Sequence, residues 1–481
     1  MGTKSHLVFI PWPGLGHLVS TVELAKLLVD HDDRLSVTVL IMKLPFDSEV
    51  DSRTKSLAAS VAAGIRFVIL PSRNASPDTS RVPFLAHFIE SHKADVREAV
   101  ADLHRCGSPR LAGLVIDMFC TTMIEVASDL GVPSYVFFTS GAAVLSLILH
   151  LQSLQDEHHM DLTGLEGSDA ELDFPGFRNP LPAAKFLPSE VFMDEGRRLL
   201  LSHALRSRET RGILVNTFTE LEPHAVEALA GLGAPAVYPV GPIVNIKVES
   251  KKGPEGNNSP QGFEILEWLD QQPAASVVFL CFGSLGSFNE DQAKEIARAL
   301  EQSGCRFMWS LRQPPAKGKM EAPSDYANPA EVLPEGFLDR TAGVGRVIGW
   351  APQVAILGHQ AIGGFVSHCG WNSTLETIWF GVPVAAWPQY AEQQLNAFEL
   401  VVELSLAVEI KMDYRRDLAK GSNFVTANEI EGGIRKLMEG EEARERRKKV
   451  KEASEKSRKA LMEGGSSYLS LARFIEDVRR H

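Results

Sequence analysis

The sequence predicts an α/β protein in which two doubly wound parallel-sheet domains face a central cleft. Three observations carry this expectation. The chain has 481 residues, and one hydrophobic core seldom grows past about 250–300 residues. Short β-branched apolar runs alternate with helical stretches in both halves, the mark of parallel strands joined by crossover helices. Between the halves, residues 245–262 read NIKVESKKGPEGNNSPQG, a polar stretch with linker composition.

In the first half, Leu7–Ile10, Leu35–Met42, Ile65–Leu70, Leu111–Ile116 and Ser134–Phe138 read as strands. Helical spacing covers Ser20–Val29, Ala86–Leu103 and Thr122–Leu130, the last ending at Gly131. In the second half, Ser276–Phe282 is a strand, Gly283–Ser287 a Gly/Ser loop and Asp291–Gln302 a helix. Phe307–Leu311, Val347–Ile348, Gly363–Val366 and Val382–Trp387 are further short strands. The dense charge run Glu439–Lys459 reads as a solvated helix face. Gly464-Gly465-Ser466-Ser467 interrupts it before a last amphipathic stretch, Tyr468–Val478. The expected division is residues 1–244, a linker over 245–262, residues 263–458, and a C-terminal helix over 459–481 that packs back on the first half.

The net charge of −12 argues against a nucleic-acid partner, which needs a basic face for phosphates. Five dispersed cysteines with no CxxC pair fit a reducing compartment without a disulfide framework or a cysteine metal site. The N-terminal apolar stretch is too short for a signal peptide. The longest apolar candidate for a membrane span, Ala142–Leu151, is shorter than the roughly 20 residues required. A cytoplasmic monomer is therefore expected. Asn74-Ala-Ser, Asn257-Asn-Ser and Asn372-Ser-Thr match the N-glycosylation pattern and, without a secretory signal, read as chance.

The most informative segment runs from Trp350 to Gln393: WAPQVAILGHQAIGGFVSHCGWNSTLETIWFGVPVAAWPQYAEQ. A strand ending at Val366 runs through a Gly-containing turn into a helix, and Asn372 and Ser373 are good helix-start residues. Such a turn presents bare N–H groups to an anion at the carboxyl end of a strand, where open α/β sheets bind ligands. His368 can add a charge-assisted hydrogen bond to phosphate. Glu376, three residues after Ser373, is placed to accept from a ribose diol. Trp350 offers a flat face to a base, and Gln353 can read a base edge with its donor and its acceptor. Glu392 and Gln393 follow a strand, and a carboxylate beside an amide suits a ring of sugar hydroxyls. Other aromatic and imidazole groups read as structure: Trp387 as core, His359 as structural or solvated. His368-Cys369 lacks a third ligand and is not a metal site.

This segment closely resembles the signature box of plant family 1 UDP-glycosyltransferases. The ordered set W-x-x-Q, H-C-G-W-N-S, x-x-E and E-Q matches over its whole length without a gap. The resemblance implies a GT-B fold and a UDP-sugar donor. It implies Trp350 on uracil and Gln353 at its edge or on the ribose. His368, Asn372 and Ser373 would meet the pyrophosphate, Glu376 the ribose, and Trp371, Glu392 and Gln393 the sugar hydroxyls. In the family the loop Gly283–Ser287 faces the donor phosphates, which adds Ser284, and Thr139 is placed with the donor set as well. Glu392 stands where the commonest family residue is Asp, so the charge moves by one methylene. The final Gln resembles the family's glucose users, which makes UDP-glucose the expected co-substrate.

The first strand leads into Pro11-Trp12-Pro13-Gly14-Leu15-Gly16-His17, which puts a histidine at a strand's carboxyl end. Histidine titrates near neutrality and suits proton abstraction from a hydroxyl. Asp117 ends the strand Leu111–Ile116 and could hold the second ring nitrogen, fixing the tautomer. The family's catalytic His and its Asp partner occupy these positions, so the resemblance implies inverting displacement with His17 as base and no metal. A mostly apolar pocket for a flat phenolic, flavonoid or terpenoid acceptor is expected near Phe119, Phe138, Phe84 and Tyr390. Transfer to carbon rather than oxygen, or nucleotide-sugar binding without turnover, are the alternatives. A dinucleotide oxidoreductase is disfavoured because Val19 stands where G-x-G-x-x-G needs its third glycine.

Overall fold

The computed structural model describes residues 4–45, 50–59, 61, 64–73, 81–106, 109–246, 260–316, 321–415 and 424–480. Asn74, Asn257 and residues 247–259 of the expected linker lie outside the described residues. Residues 260–262, also assigned to that linker, open a helix, Pro260–Asp270.

The first half forms a seven-stranded sheet: β1 (Ser5–Ile10), β2 (Leu35–Ile41), β3 (Ile65–Ile69), β4 (Arg110–Asp117), β5 (Ser134–Phe138), β6 (Gly212–Val215) and β7 (Ala236–Pro239). Its order is β3-β2-β1-β4-β5-β6-β7, with every pairing parallel. The second half forms a six-stranded sheet: β8 (Val277–Cys281), β9 (Arg306–Ser310), β10 (Gly345–Ile348), β11 (Ile362–Ser367), β12 (Val384–Ala386) and β13 (Ala407–Glu409). Its order, β10-β9-β8-β11-β12-β13, repeats that of the first sheet, again all parallel. In each sheet the strand order reverses between the first and fourth strands, and that reversal opens a crevice at the carboxyl ends. Six of these thirteen strands, β1, β5, β6, β8, β11 and β12, are buried from end to end, so they read as continuous apolar runs rather than alternating ones.

Eight helices position the site and join the halves: α1 (Leu15–His31), α2 (Arg81–Ser91), α3 (Ala142–Asp156), α4 (Asp194–Arg208), α5 (Trp371–Phe380), α6 (Gln393–Phe398), α7 (Gly440–Leu461) and α8 (Ser466–Arg480). Helix α1 starts five residues before the expected Ser20, capped by the extended Gly14, so His17 sits in its first turn. The helix expected over Ala86–Leu103 breaks at His92, whose Nδ1 lies 2.9 Å from the Phe88 carbonyl. The apolar run from Ala142 belongs to α3, buried over most of its circumference inside the first half. Among the described residues no helix is long and apolar enough to cross a membrane.

The halves share apolar core. Phe398 of α6 packs against Phe186 and Phe177, with ring centroids 4.9 and 5.8 Å away. A carboxyl pair spans the same boundary. Glu222 caps α3 by accepting from the Ala142 and Ala143 N–H groups at 2.9 and 2.7 Å. Glu399 opens the π-helical turn Glu399–Glu403 that follows α6. Burial, reinforced by the charges of Glu222 and Glu403, pushes its carboxyl well above the usual range, so Glu399 stays protonated and hydrogen-bonds Glu222. Helix α8 lies against the first sheet. Leu471, Phe474, Ile475 and Val478 join that sheet's core, and the Tyr135 hydroxyl donates to Asp477 at 2.7 Å.

Candidate active site

Strand β1 ends at Ile10, beside Ile116 of β4, and β4 continues to Asp117. His17 follows β1, so both expected catalytic residues stand at the strand-order reversal of the first sheet. Their side chains meet: His17 Nδ1 is 2.7 Å from Asp117 Oδ2. The Asp117 carboxylate is fully buried, and its Oδ1 accepts from the Phe119 N–H at 3.0 Å. A carboxylate only accepts, so Nδ1 carries the proton and Nε2 keeps its lone pair. The Thr139 hydroxyl oxygen lies 3.1 Å from the same Nδ1. Thr139 thus contacts the catalytic pair, and it lines the same cavity as Asn372 and Glu392 of the second half.

Burial is the largest influence on His17 and favours the neutral ring. The Asp117 charge, its hydrogen bond and the Glu392 charge outweigh it, and the pKa rises above 6.5. Glu392 is pushed up by burial and drawn back by His17, so the two groups sense each other across the halves. The imidazole remains 23% exposed and opens on a cavity of about 270 Å³. Trp12 and Phe119 flank the ring, with centroids 5.0 and 5.7 Å away. A Cβ on Gly14 would come within 2.0 Å of the Trp12 ring, so only glycine lets that indole fold back over the site.

The second crevice is built alike. Ser367 at the end of β11 pairs with Cys281 at the end of β8. The loop carrying Ser284 follows β8, and His368-Cys369-Gly370 follows β11 into α5. Ser284 is exposed. Cys369 has φ +59°, an uncommon conformation for a residue with a side chain. His368 is held between two glycines: a Cβ on Gly283 or Gly370 would lie 2.5 or 2.6 Å from its Nε2. Burial pushes the His368 pKa down to about 4, and its Nδ1 has no hydrogen-bond partner among the described residues. The ring is therefore neutral in the empty site. The charge-assisted bond expected from the sequence requires an anion to raise that pKa.

Helix α5 is capped by Gly370, which supplies no side-chain bond, so Asn372 and Ser373 stand inside the first turn rather than capping it. That leaves the first-turn N–H groups open at the crevice. Gln353 donates to Ser373 Oγ at 2.8 Å and to Glu376 Oε2 at 2.6 Å, which brings these three donor residues together. Trp350 is half-buried just before them. Asn372 reaches across the cleft: its Nδ2 donates to the Gly16 carbonyl at 3.3 Å and its Oδ1 accepts from Ser20 at 3.2 Å. Gln393 uses its Oε1 to accept from the Gln389 and Tyr390 N–H groups at 2.9 and 3.2 Å. This fixes the loop in which Ala391 takes φ +58°.

The indole N–H of Trp371 is committed to the Asn216 carbonyl at 2.7 Å, so this side chain ties the halves together, while the residue also lines the cavity. Three expectations change. Phe84 and Phe138 are 3% and 4% exposed, lie in the core and do not line the cavity. On α2 it is Leu85 and Ile89 that share the cavity-facing side, while Phe84 stacks inward on Phe88. Tyr390 is half-buried and does not line the cavity.

Known proteins match this architecture. The family model "UDP-glucoronosyl and UDP-glucosyl transferase" covers residues 238–429, the half with the second crevice. A UDP-glucose flavonoid 3-O-glucosyltransferase of Fragaria ananassa is 57% identical over 486 residues, spanning 100% of both chains. The chain belongs to the plant family 1 UDP-glycosyltransferases. A UGT transferase from Siraitia grosvenorii solved in complex with UDP is similar to this glycosyltransferase at TM-score 0.88 and 53% identity, covering 99% of this chain and 100% of that one. UGT71G1 of Medicago truncatula, solved with UDP-glucose, gives 0.87 and 42%, covering 99% and 98%.

The sequence reading missed part of the glycosyltransferase's cavity. Trp12, Met118, Val144, Ile148, Leu199 and His203 all line it. Trp12, set between two prolines after a strand, carried a usable signal. Met118 stands in the turn just past β4, and the remaining four sit on helices whose faces a single sequence does not assign.

Proposed function

We propose that this glycosyltransferase moves glucose from UDP-glucose to a hydroxyl of a small apolar acceptor, a flavonoid or other phenolic or a terpenoid, with inversion to a β-glucoside. Residues 1–244 would serve the acceptor and 263–458 the donor. The observation that carries this reading is the His17–Asp117 pair, 2.7 Å apart, opening on a mainly apolar cavity that Asn372 and Glu392 of the other half also line. The lone pair on His17 Nε2 takes the acceptor proton as the oxygen attacks the anomeric carbon from the side opposite UDP. Positioning across the cleft supplies much of the rate. The leaving diphosphate is met by the open N–H groups of α5, by His368, Asn372 and Ser373, and by the loop of Ser284, so no metal is required. Trp350 stacks on uracil with Gln353 at its edge, Glu376 holds the ribose, and Glu392 and Gln393 bind the sugar. The reading takes support from the relative named for UDP-glucose and a flavonoid and from the structure solved with UDP-glucose.

The test is incubation of the enzyme with UDP-glucose and a panel of phenols and terpenoid alcohols. The product's anomeric coupling is read by NMR and its bond tested for acid lability. An α-linked product, or no product across the panel, refutes the reading. EDTA should leave the rate unchanged. A monomer is expected in gel filtration, and cytoplasmic fluorescence from a tagged chain.

A further inference from the structure

The cavity holds a second imidazole that the reaction does not use. His203 of α4 lines it 9% exposed, with its ring centroid 5.9 Å from Phe119, the ring that also contacts His17. Its Nδ1 is 2.7 Å from the hydroxyl of Thr121, which is fully buried in the turn after β4. Among the described residues that hydroxyl has no other acceptor for its proton. Thr121 therefore donates to Nδ1, and the opposite arrangement would strand a buried O–H. The neutral ring then carries its proton on Nε2. Burial pushes the pKa of His203 down to about 4, so the ring stays neutral at working pH. Nε2 has no protein partner among the described residues and is not sealed from solvent, and because the residue lines the cavity, we take it to open there. Leu199 and Leu200 on the same helix, with Ile148 and Val144 of α3, make its surroundings apolar.

We infer that His203, set by Thr121, is a specificity-determining N–H donor for a second oxygen of the acceptor, a carbonyl or hydroxyl remote from the reacting hydroxyl. The inference rests on the acceptor site proposed above. It makes the favoured acceptor bifunctional: one hydroxyl at His17 and one oxygen at His203, with apolar carbon between. A lone donor in an apolar wall costs the cavity an unmet bond whenever the ligand brings no oxygen, which is how a site rejects the analogue lacking it.

The experiment compares 4-hydroxybenzophenone with 4-benzylphenol, which differ by one carbonyl. The ratio of their kcat/KM values cancels effects common to both phenols when wild type and variants are compared. His203→Phe should lower that ratio about tenfold, and His203→Gln, which keeps a donor, should restore most of it. An unchanged ratio in His203→Phe overturns the inference. If wild type glucosylates neither phenol, the acceptor class fails instead. His203 is then read from binding of the two phenols by intrinsic fluorescence, where a ketone preference present in wild type and absent in His203→Phe supports it. Equal preference in both proteins overturns it.

Discussion

Asp117→Asn tests the base assignment most sharply, because it alters the tautomer of His17 and almost nothing else. The side chain is fully buried, and Oδ1 can keep its bond from the Phe119 N–H. The amide nitrogen would replace Oδ2 at 2.7 Å from Nδ1. A donor there forces Nδ1 to accept, which moves the ring proton to Nε2, facing the acceptor. A base holding its proton where it should take one is disabled, and the comparable change in a Ser-His-Asp triad costs about 10⁴-fold in kcat. His17 is 23% exposed, so water competes for the ring, and about 10³-fold, near 4 kcal/mol, is the expected loss here. The pH profile must move as well. Neutral His17 is the active form, so the rate falls as pH drops through its raised pKa. Without the Asp117 charge burial dominates, and the acid limb shifts to lower pH. The assay is UDP release at saturating UDP-glucose and phenol between pH 5 and 9, with UDP affinity by calorimetry as the control. A kcat within tenfold of wild type, or an acid limb that stays in place, refutes the tautomer argument.

His17→Ala should cut transfer by at least about 10³-fold while UDP binding by calorimetry stays close to wild type. Gly283→Ala places a methyl 2.5 Å from His368 Nε2 at a residue with φ +74°. It should raise KM for UDP-glucose and cost about 1–3 kcal/mol in thermal unfolding. The raised pKa of Glu399 means the native state holds a proton that the unfolded chain releases near the ordinary value of 4.5. Stability from this group is complete below that pH and is lost as pH rises through the folded-state value. Glu399→Gln should flatten that part of the Tm-against-pH curve, and an unchanged slope would place the proton elsewhere.

The sequence made legible what depends on strand ends. Apolar runs located β1, β4, β8, β10 and β11, and chemistry-bearing residues at or past their ends are the ones that converge: His17 on Asp117, and Gln353 on Ser373 and Glu376. Less visible was anything set by which way a helix turns. Phe84 and Leu85 are adjacent, yet one enters the core and the other the cavity, because successive helical residues point about 100° apart. Trp371 lies in the densest part of the motif, but its N–H goes to a carbonyl of Asn216, 155 positions away. The left-handed backbone at Cys369 and Ala391 had no sequence signal, since neither residue type favours it. Between residues 139 and 244 only part of α3 was noticed, as an apolar run, so α4 and with it His203 were missed.

Helix α8 ties the order of synthesis to the order of assembly. The first sheet's core includes Leu471, Phe474, Ile475 and Val478, and Asp477 pairs with Arg211 while accepting from Tyr135. A ribosome delivers the strands of that sheet long before it delivers this helix. The half that emerges first must wait with an apolar face uncovered until residue 478 is free, even though the half made later needs no such wait. A chaperone that shields the nascent first half should therefore raise the yield of folded enzyme more than one acting on the second.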